Sequence, residues 1–240
     1  MKRYILIAGG NFLRQCAGFL AHLIVAKEIG SSNFGTVTLA FSAFIFLAGV
    51  GDFGARYHNW RQIAVLEGQF RDTAALGYLL ARFVFASVIV VLVNVFLPFF
   101  FGGILLTLLR FYSLGVVFNQ IAFDWYFLSR DKELSLFLFN SLSGIIYLLG
   151  TIFFVRGAED IVNVPLIFVG SFLAPALLII PCSDGFRYVH RLRVLFHEKS
   201  IWDLARLPIR TSRYAPYDLL QRAYHVFMFV VIGIVRGERV

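Results

Sequence analysis

The sequence predicts an all-α integral membrane protein, a helical bundle of about seven transmembrane helices. Of the 240 residues, 59% are hydrophobic and only 15% are charged, whereas a soluble domain has about 45–50% apolar and about 25% charged residues. The apolar runs are also continuous, and they reach the roughly 20 residues that a helix needs to cross a hydrocarbon core about 30 Å thick. A membrane β-barrel would instead show alternating segments of about 10 residues.

Hydropathy divides the chain into three parts. Residues 1–182 form a predicted six-helix lobe, residues 183–213 a linker, and residues 214–240 carry a seventh span. The first apolar run is longer than the h-region of a signal peptide, so we expect it to be a retained helix. The predicted spans lie at about 4–27, 34–55, 73–97, 103–128, 134–155, 162–182 and 214–235.

The net charge of +8 follows from the predicted topology. Short loops on the cytoplasmic side of a membrane protein carry an excess of Lys and Arg. If the N-terminus is cytoplasmic, the outer segments hold only Lys27, Arg156, Arg236 and Arg239. We therefore expect the N-terminus inside and the C-terminus outside, and the basic charge calls for no nucleic-acid partner.

The linker contains the basic stretch DGFRYVHRLRVLFHEKS, in which apolar residues recur at helical spacing. This pattern predicts an amphipathic helix lying on anionic lipid headgroups. A solvated cytoplasmic loop that merely obeys the charge rule is the alternative. The two cysteines, Cys16 and Cys182, both fall in predicted spans, where packing is a better expectation than a disulfide or a metal site.

Four arginines fall inside predicted spans, and their depth separates them. A charge at the bilayer centre costs about 2.5–3.5 kcal/mol on insertion scales. Arg14 and Arg82 lie roughly nine or ten residues into their spans, close to the midplane at about 1.5 Å per residue. Arg110 and Arg222 lie nearer an end, where a long side chain can reach the interface. Arg14 and Arg82 are therefore the candidates for a functional site.

The first span has two unlike faces. Small and polar residues, spaced three or four apart, share one face of the helix. They are Gly10, Arg14, Ala17, Gly18, Ala21, His22 and Ala26, with Asn11 and Gln15 at the edge. The opposite face carries Phe12, Phe19 and Leu23. Because small residues let helices approach and polar ones avoid lipid, we expect the first face to point inward.

Two carboxylates accompany these arginines. Asp52 lies near the end of the second span, and Asp124 shares a face of the fourth span with Arg110. Each carboxylate could form a structural ion pair with a nearby arginine, or couple transport to protons or sodium. Both interpretations stay open from the sequence.

Several motifs of the sequence resemble those of a known family. The stretch AKEIGSSNFGTVTLAFSAFIFLAGVGDFGARYHNWRQIA resembles the start of polysaccharide flippases of the Wzx type, in the multidrug/oligosaccharidyl-lipid/polysaccharide exporter superfamily. That family shows an arginine early in its first helix, then Ala-x-x-Leu-Gly-Pro-x-x-Phe-Gly, then Asp-Phe-Gly. The matching residues here are Arg14, then Ala26, Gly30, Phe34 and Gly35, then Asp52, Phe53 and Gly54. Ile29 and Ser31 stand where the family has leucine and proline.

Two later stretches are similar to further helices of these flippases. FDWYFLSRDKELSLFLFNSLSGIIYLLGTIFFV looks like the fourth and fifth helices, and RTSRYAPYDLLQRAYHVFMFVVIGIVRGERV looks like the seventh. The family has twelve or fourteen helices built as two lobes. We therefore expect this chain to be a fragment, a truncated product or half of a split transporter.

The resemblance implies a flippase for a polyprenyl-pyrophosphate-linked oligosaccharide in O-antigen or other polysaccharide synthesis, in the bacterial cytoplasmic (inner) membrane. The anionic head would be held by Arg14 and Arg82, with Gln15, His22 and Arg110, since guanidinium groups bind phosphate through paired hydrogen bonds. No bond is broken, so no catalytic residue, metal or cofactor is expected. Membrane lipids and other polysaccharide assembly proteins are the further expected partners.

Two other classes remain open. A non-transporting helical bundle that scaffolds other membrane proteins would hold its buried arginines in ion pairs. A membrane glycosyltransferase or polymerase of the same pathway would show paired carboxylates at a membrane face or a large outer loop, and the predicted outer loops are short.

Overall fold

The computed structural model describes residues 2–52, 63–66, 68–120, 127–128, 131–182, 216 and 220. Within these residues the secondary structure is helical, and no strand occurs. The helices are α1 (Lys2–Ile29), α2 (Ser31–Asp52), α3 (Gly68–Phe100), α4 (Gly103–Asn119), α5 (Glu133–Phe154), a 3-10 helix (Ala158–Val162) and α6 (Asn163–Cys182). The predicted all-α fold class is confirmed for this part of the chain.

Within the described residues, four helical segments are long and apolar enough to cross a membrane: Ser31–Asp52, Gly77–Phe100, Glu133–Phe154 and Ala158–Leu178. The apolar helix α4 is shorter, at 17 residues. Helix α1 has 28 residues, but Asn11, Arg14, Gln15 and His22 lower its hydropathy. The chain therefore has the character of a multi-pass membrane protein.

Two parts of the predicted topology lie outside the described residues. They are the linker 183–213 and the seventh span 214–235, of which only positions 216 and 220 are described. The count of seven helices stays a prediction.

Five helices surround the centre of the bundle, and α3 packs outside them against α2 and α4. Helix α1 lies against α5, which also contacts α6, while α4 contacts both α2 and α6. Only 11% of the apolar span of α3 is buried. A helix this apolar and this exposed has the surface expected of one that faces lipid.

A single residue connects α1 and α2. Gly30 has φ +82°, a left-handed conformation that glycine adopts without the steric cost of a side chain. The carbonyl of Gly30 accepts a 2.9 Å hydrogen bond from the amide of Phe34, and the Asn33 side chain donates to the Ile29 carbonyl at 3.1 Å. The last turn of α1 thus leads directly into the first turn of α2.

Helices α1 and α5 run in parallel and approach closely through glycines. Gly10 faces the backbone of Phe137, and Gly144 faces the backbone of Arg14. A Cβ atom at position 144 would lie 2.8 Å from Cα of Arg14, which is inside van der Waals contact. Small residues at a helix interface permit this spacing.

The two faces of α1 differ as the sequence predicted. Ala17 and Ala21 are buried, at 9% and 0% exposure. Phe12 and Phe19, on the opposite face, are 66% and 64% exposed. The face of small residues therefore packs inward, and the bulky face lies on the outside of the bundle.

We expect Gly144→Ala to destabilise the bundle by about 1–3 kcal/mol, because the added methyl group must displace the backbone of α1. Gly170→Ala is the matched control, since no atom lies within 4 Å of a Cβ at that helical position. The control should be neutral or stabilising by up to about 1 kcal/mol, because alanine favours helix over glycine. Thermal unfolding of the purified protein in detergent measures both, and equal midpoints for the two variants would contradict the close approach.

Candidate functional site

A cavity of about 270 Å³ lies at the centre of the five helices. Its polar wall is contributed by α1, α4, α5 and α6, and its apolar wall mainly by phenylalanine rings of α2 and α6. The polar lining residues are Arg14, His22, Asn119, Ser143, Tyr147 and Ser171. The phenylalanines that line it are Phe41, Phe44, Phe168 and Phe172.

Arg14 is half-buried and lies near the middle of α1. Its Nη1 donates a 3.2 Å hydrogen bond to Oδ1 of Asn140 on α5. The amide nitrogen of Asn140 donates in turn to Oδ1 of Asn11 at 3.1 Å. These two hydrogen bonds orient the Asn140 carbonyl oxygen toward the guanidinium of Arg14.

His22 lies two turns further along α1, on the same cavity. Its Nδ1 is 3.4 Å from the hydroxyl of Tyr147 on α5. The imidazole also contacts the ring of Phe41 edge-on, with centroids 5.3 Å apart. The lining from α1 therefore changes from a cation at Arg14 to an aromatic environment at His22.

Arg82 does not line the cavity; it forms an ion pair with Asp52. Nη2 of Arg82 is 2.5 Å from Oδ1 of Asp52, and the side chains are only 5% and 2% exposed. Of the two interpretations of Asp52, the observed geometry is the ion pair.

The other candidate residues lie elsewhere. Gln15 and Arg110 are exposed on the outside of the described bundle. Asp124, like Arg222, falls outside the described residues. Of the five residues expected to hold an anion, the structure brings Arg14 and His22 together at the cavity, and it separates Arg82, Gln15 and Arg110 from it.

Sequence reasoning missed the contribution of α5. Asn140, Ser143, Gly144 and Tyr147 recur three or four residues apart in SLFLFNSLSGIIYLLGT, and together they form the face that meets α1. The spacing of these residues on α5 is the same as that of the polar stripe on α1. None of them is charged, so their signal in the sequence is weaker than that of Arg14.

The cavity can accommodate an anion beside an apolar group. Among the lining residues that the structure describes there is one arginine or lysine, Arg14, and no Asp or Glu. Within the described part of the chain, no group of three His, Cys, Asp or Glu side chains could hold a metal ion, and Cys16 is a half-buried free thiol. The volume of the cavity, about 270 Å³, lies just below the range of about 300–1,000 Å³ that is usual for ligand pockets.

The fold and the cavity define a helical membrane-type bundle with a polar, cationic interior site. No protein-family model, curated protein or solved structure matches the chain. What this bundle does must therefore be argued from its own residues.

We expect breaking the Asp52–Arg82 pair to cost about 3–5 kcal/mol of stability, because either single variant leaves one charge buried without its counterion. Asp52→Leu and Arg82→Met should each lower the unfolding midpoint in detergent. The double variant should recover most of that loss, since it buries no charge. Glu28→Gln is the control, because its partner Lys27 is exposed and Glu28 itself is only half-buried, so the loss of this pair costs about 1 kcal/mol or less. A double variant as unstable as the sum of the two single variants would contradict the pairing.

Proposed function

We propose that this chain belongs to a flippase that moves a polyprenyl-pyrophosphate-linked oligosaccharide across the bacterial cytoplasmic membrane for polysaccharide or O-antigen synthesis. The observation that carries the proposal is Arg14, a cation near the middle of a long helix, facing a cavity within an apolar bundle. The resemblance of the sequence motifs to Wzx-type flippases supports the same function.

A pyrophosphate cannot cross hydrocarbon without a substitute for its water shell, because an isolated ion in a low-dielectric medium is strongly destabilised. A guanidinium offers it several charge-assisted hydrogen bonds. The hydrogen bond of Arg14 to Asn140 uses one Nη1 proton, and the described residues that line the cavity include no Asp or Glu. This environment favours an anionic ligand over the cationic drugs that other exporters carry.

The two buried arginines have different roles in this proposal. Arg14, with His22 two turns further along α1, contacts the anionic head, whereas Arg82 is paired with Asp52. Gln15 and Arg110 are exposed, and neither takes part in binding at the cavity. The cavity is also too small for an oligosaccharide, so the sugars lie outside it.

A non-transporting scaffold is the second candidate, and the Asp52–Arg82 pair favours it. A bundle that only binds other membrane proteins would hold its arginines in such pairs. It would also present apolar helix faces such as that of α3, whose span is 11% buried.

We expect Arg14→Gln to abolish most transport of a fluorescent polyprenyl-pyrophosphate-linked oligosaccharide in proteoliposomes that contain the protein. Loss of hydrogen bonds to a charged group, worth about 1.5–3 kcal/mol, should weaken substrate binding about 10- to 100-fold. Arg110→Gln is the matched control, since that arginine is exposed, and it should transport normally. If Arg14→Gln transports like the control, or if the unaltered protein moves no substrate, the flippase proposal fails and the scaffold is favoured.

A further inference from the structure

Two polar side chains lie on the outer surface of the bundle, away from the helix ends. Among the described residues, the exposed side chains in the middle of the helices are apolar with two exceptions, Gln15 of α1 and Arg110 of α4. A helical side chain points toward the N-terminal end of its helix, so the long Arg110 side chain can reach the interface near Gly103, about 10 Å away. Gln15 has no such route, because it lies about 20 Å from either end of the helix Lys2–Ile29.

The Gln15 amide needs a hydrogen-bond partner that the described bundle does not supply. No hydrogen bond joins it to another residue in the part of the chain that the structure describes. Lipid tails offer neither a donor nor an acceptor, and an amide moved from water into hydrocarbon without a hydrogen bond is strongly destabilised. Glutamine side chains of membrane helices form hydrogen bonds across helix interfaces for this reason. We therefore expect the outer face of α1 to contact another helix at the depth of Gln15.

The exposed residues around Gln15 have the spacing of a seam between two helices. They lie alternately three and four positions apart: Ile5, Ala8, Phe12, Gln15 and Phe19. This alternation is the a and d pattern of a left-handed coiled coil, and most membrane helix pairs cross at the matching angle of about +20°. The next position in the series is His22, which lines the cavity instead, so the seam ends at Phe19. A single polar residue in such a seam specifies the register of the two helices.

A second copy of α1 provides what this face lacks. A glutamine amide has both donors and an acceptor, so two such amides can each donate to the carbonyl oxygen of the other. In a dimer with two-fold symmetry the same patch of both copies meets, and residues near the axis face their own counterparts. Copies that share one membrane orientation bring their Gln15 side chains to the same depth. The five seam residues carry no charge, so no like charges oppose the pairing.

We propose that this chain forms a parallel homodimer through the outer face of α1. The two Gln15 amides are hydrogen-bonded to each other at the centre of the interface, and Phe12 and Phe19 pack on either side of them. These rings are 66% and 64% exposed in the single chain, and rings that meet across the seam add favourable aromatic contacts. The dimer does not rest on the proposed function, because it leaves the cavity inside each copy.

Single-cysteine crosslinking in membranes tests the seam. With both native cysteines replaced by serine, Ala8→Cys and Phe12→Cys place a thiol on the seam. Leu13→Cys and Leu20→Cys are the matched controls, because these leucines are 46% and 48% exposed on the same helix but are turned away from the seam residue before them by about 100°. Oxidation should give about fivefold or more covalent dimer from the seam cysteines, since Cα atoms more than about 7 Å apart cannot form a disulfide. Equal yields at all four positions, or no dimer at any of them, would overturn the proposal.

Gln15→Leu tests the amide pair itself. Loss of hydrogen bonds between membrane helices should weaken the dimer about 3- to 30-fold. Energy transfer between donor-labelled and acceptor-labelled copies, measured in liposomes at increasing dilution in lipid, reports the affinity. Gln15→Asn keeps an amide and should dimerise more tightly than Gln15→Leu. Arg110→Leu is the matched control, because it removes the other polar side chain of the outer surface, and it should leave the energy transfer unchanged. A Gln15→Leu variant that dimerises like the unaltered chain would contradict the proposal.

Two further outcomes separate the homodimer from other occupants of this face and from the proposed function. If the protein stays monomeric in liposomes while the thiol of Phe12→Cys is protected from a lipid-soluble maleimide, another segment or another protein covers the face, and the homodimer is wrong. If Gln15→Leu is monomeric but still transports the lipid-linked oligosaccharide, the homodimer is supported and the flippase acts without it.

Discussion

The close contact of α1 with α5 determines most of what the interior of this bundle can do. Because Gly144 has no side chain, the backbone of Arg14 can approach it, and a Cβ there would lie 2.8 Å from the Cα of Arg14. At that separation Asn140 reaches the guanidinium and Tyr147 reaches His22. Neither polar contact would form if the helices were held apart by larger residues. The glycine on α5 thus determines the environment of the cation on α1.

Arg82 and Arg14 both lie inside the bundle, but their side chains have different partners. Arg82 is paired with the carboxylate of Asp52, and this pair adds no net charge to the interior. Arg14 instead donates a hydrogen bond to the neutral Asn140 amide, at the edge of the cavity. The Asp52–Arg82 pair joins the end of α2 to α3. The guanidinium of Arg14 instead provides an attraction for anions at the cavity.

The sequence alone predicted the helical class and the orientation of α1, because both follow from composition and a repeat of three to four residues. It left open an ion pair of Asp52 with a nearby arginine, but it could not show that Arg82 is that partner and lies away from the cavity. Periodicity tells which face of a helix a residue occupies but not which other helix packs against that face. Ser143 and Asn140 were missed because an uncharged stripe in an apolar helix gives a weak signal. Arg14 was predicted because a charged residue in an apolar helix gives a strong signal in the sequence.

The one-residue connection at Gly30 has a mechanical consequence for the bundle. Since α1 and α5 run in parallel, the α1–α2 connection and the turn between α5 and α6 lie at the same end, where Ile161 packs in one cluster with Val25 and Ile29. A connection of one residue keeps the end of α1 next to the start of α2. Any separation of α1 from α2 would therefore be larger at their other ends. Arg14, near the middle of α1, lies farther from this connection than His22 does, so such a separation would change the surroundings of Arg14 more than those of His22.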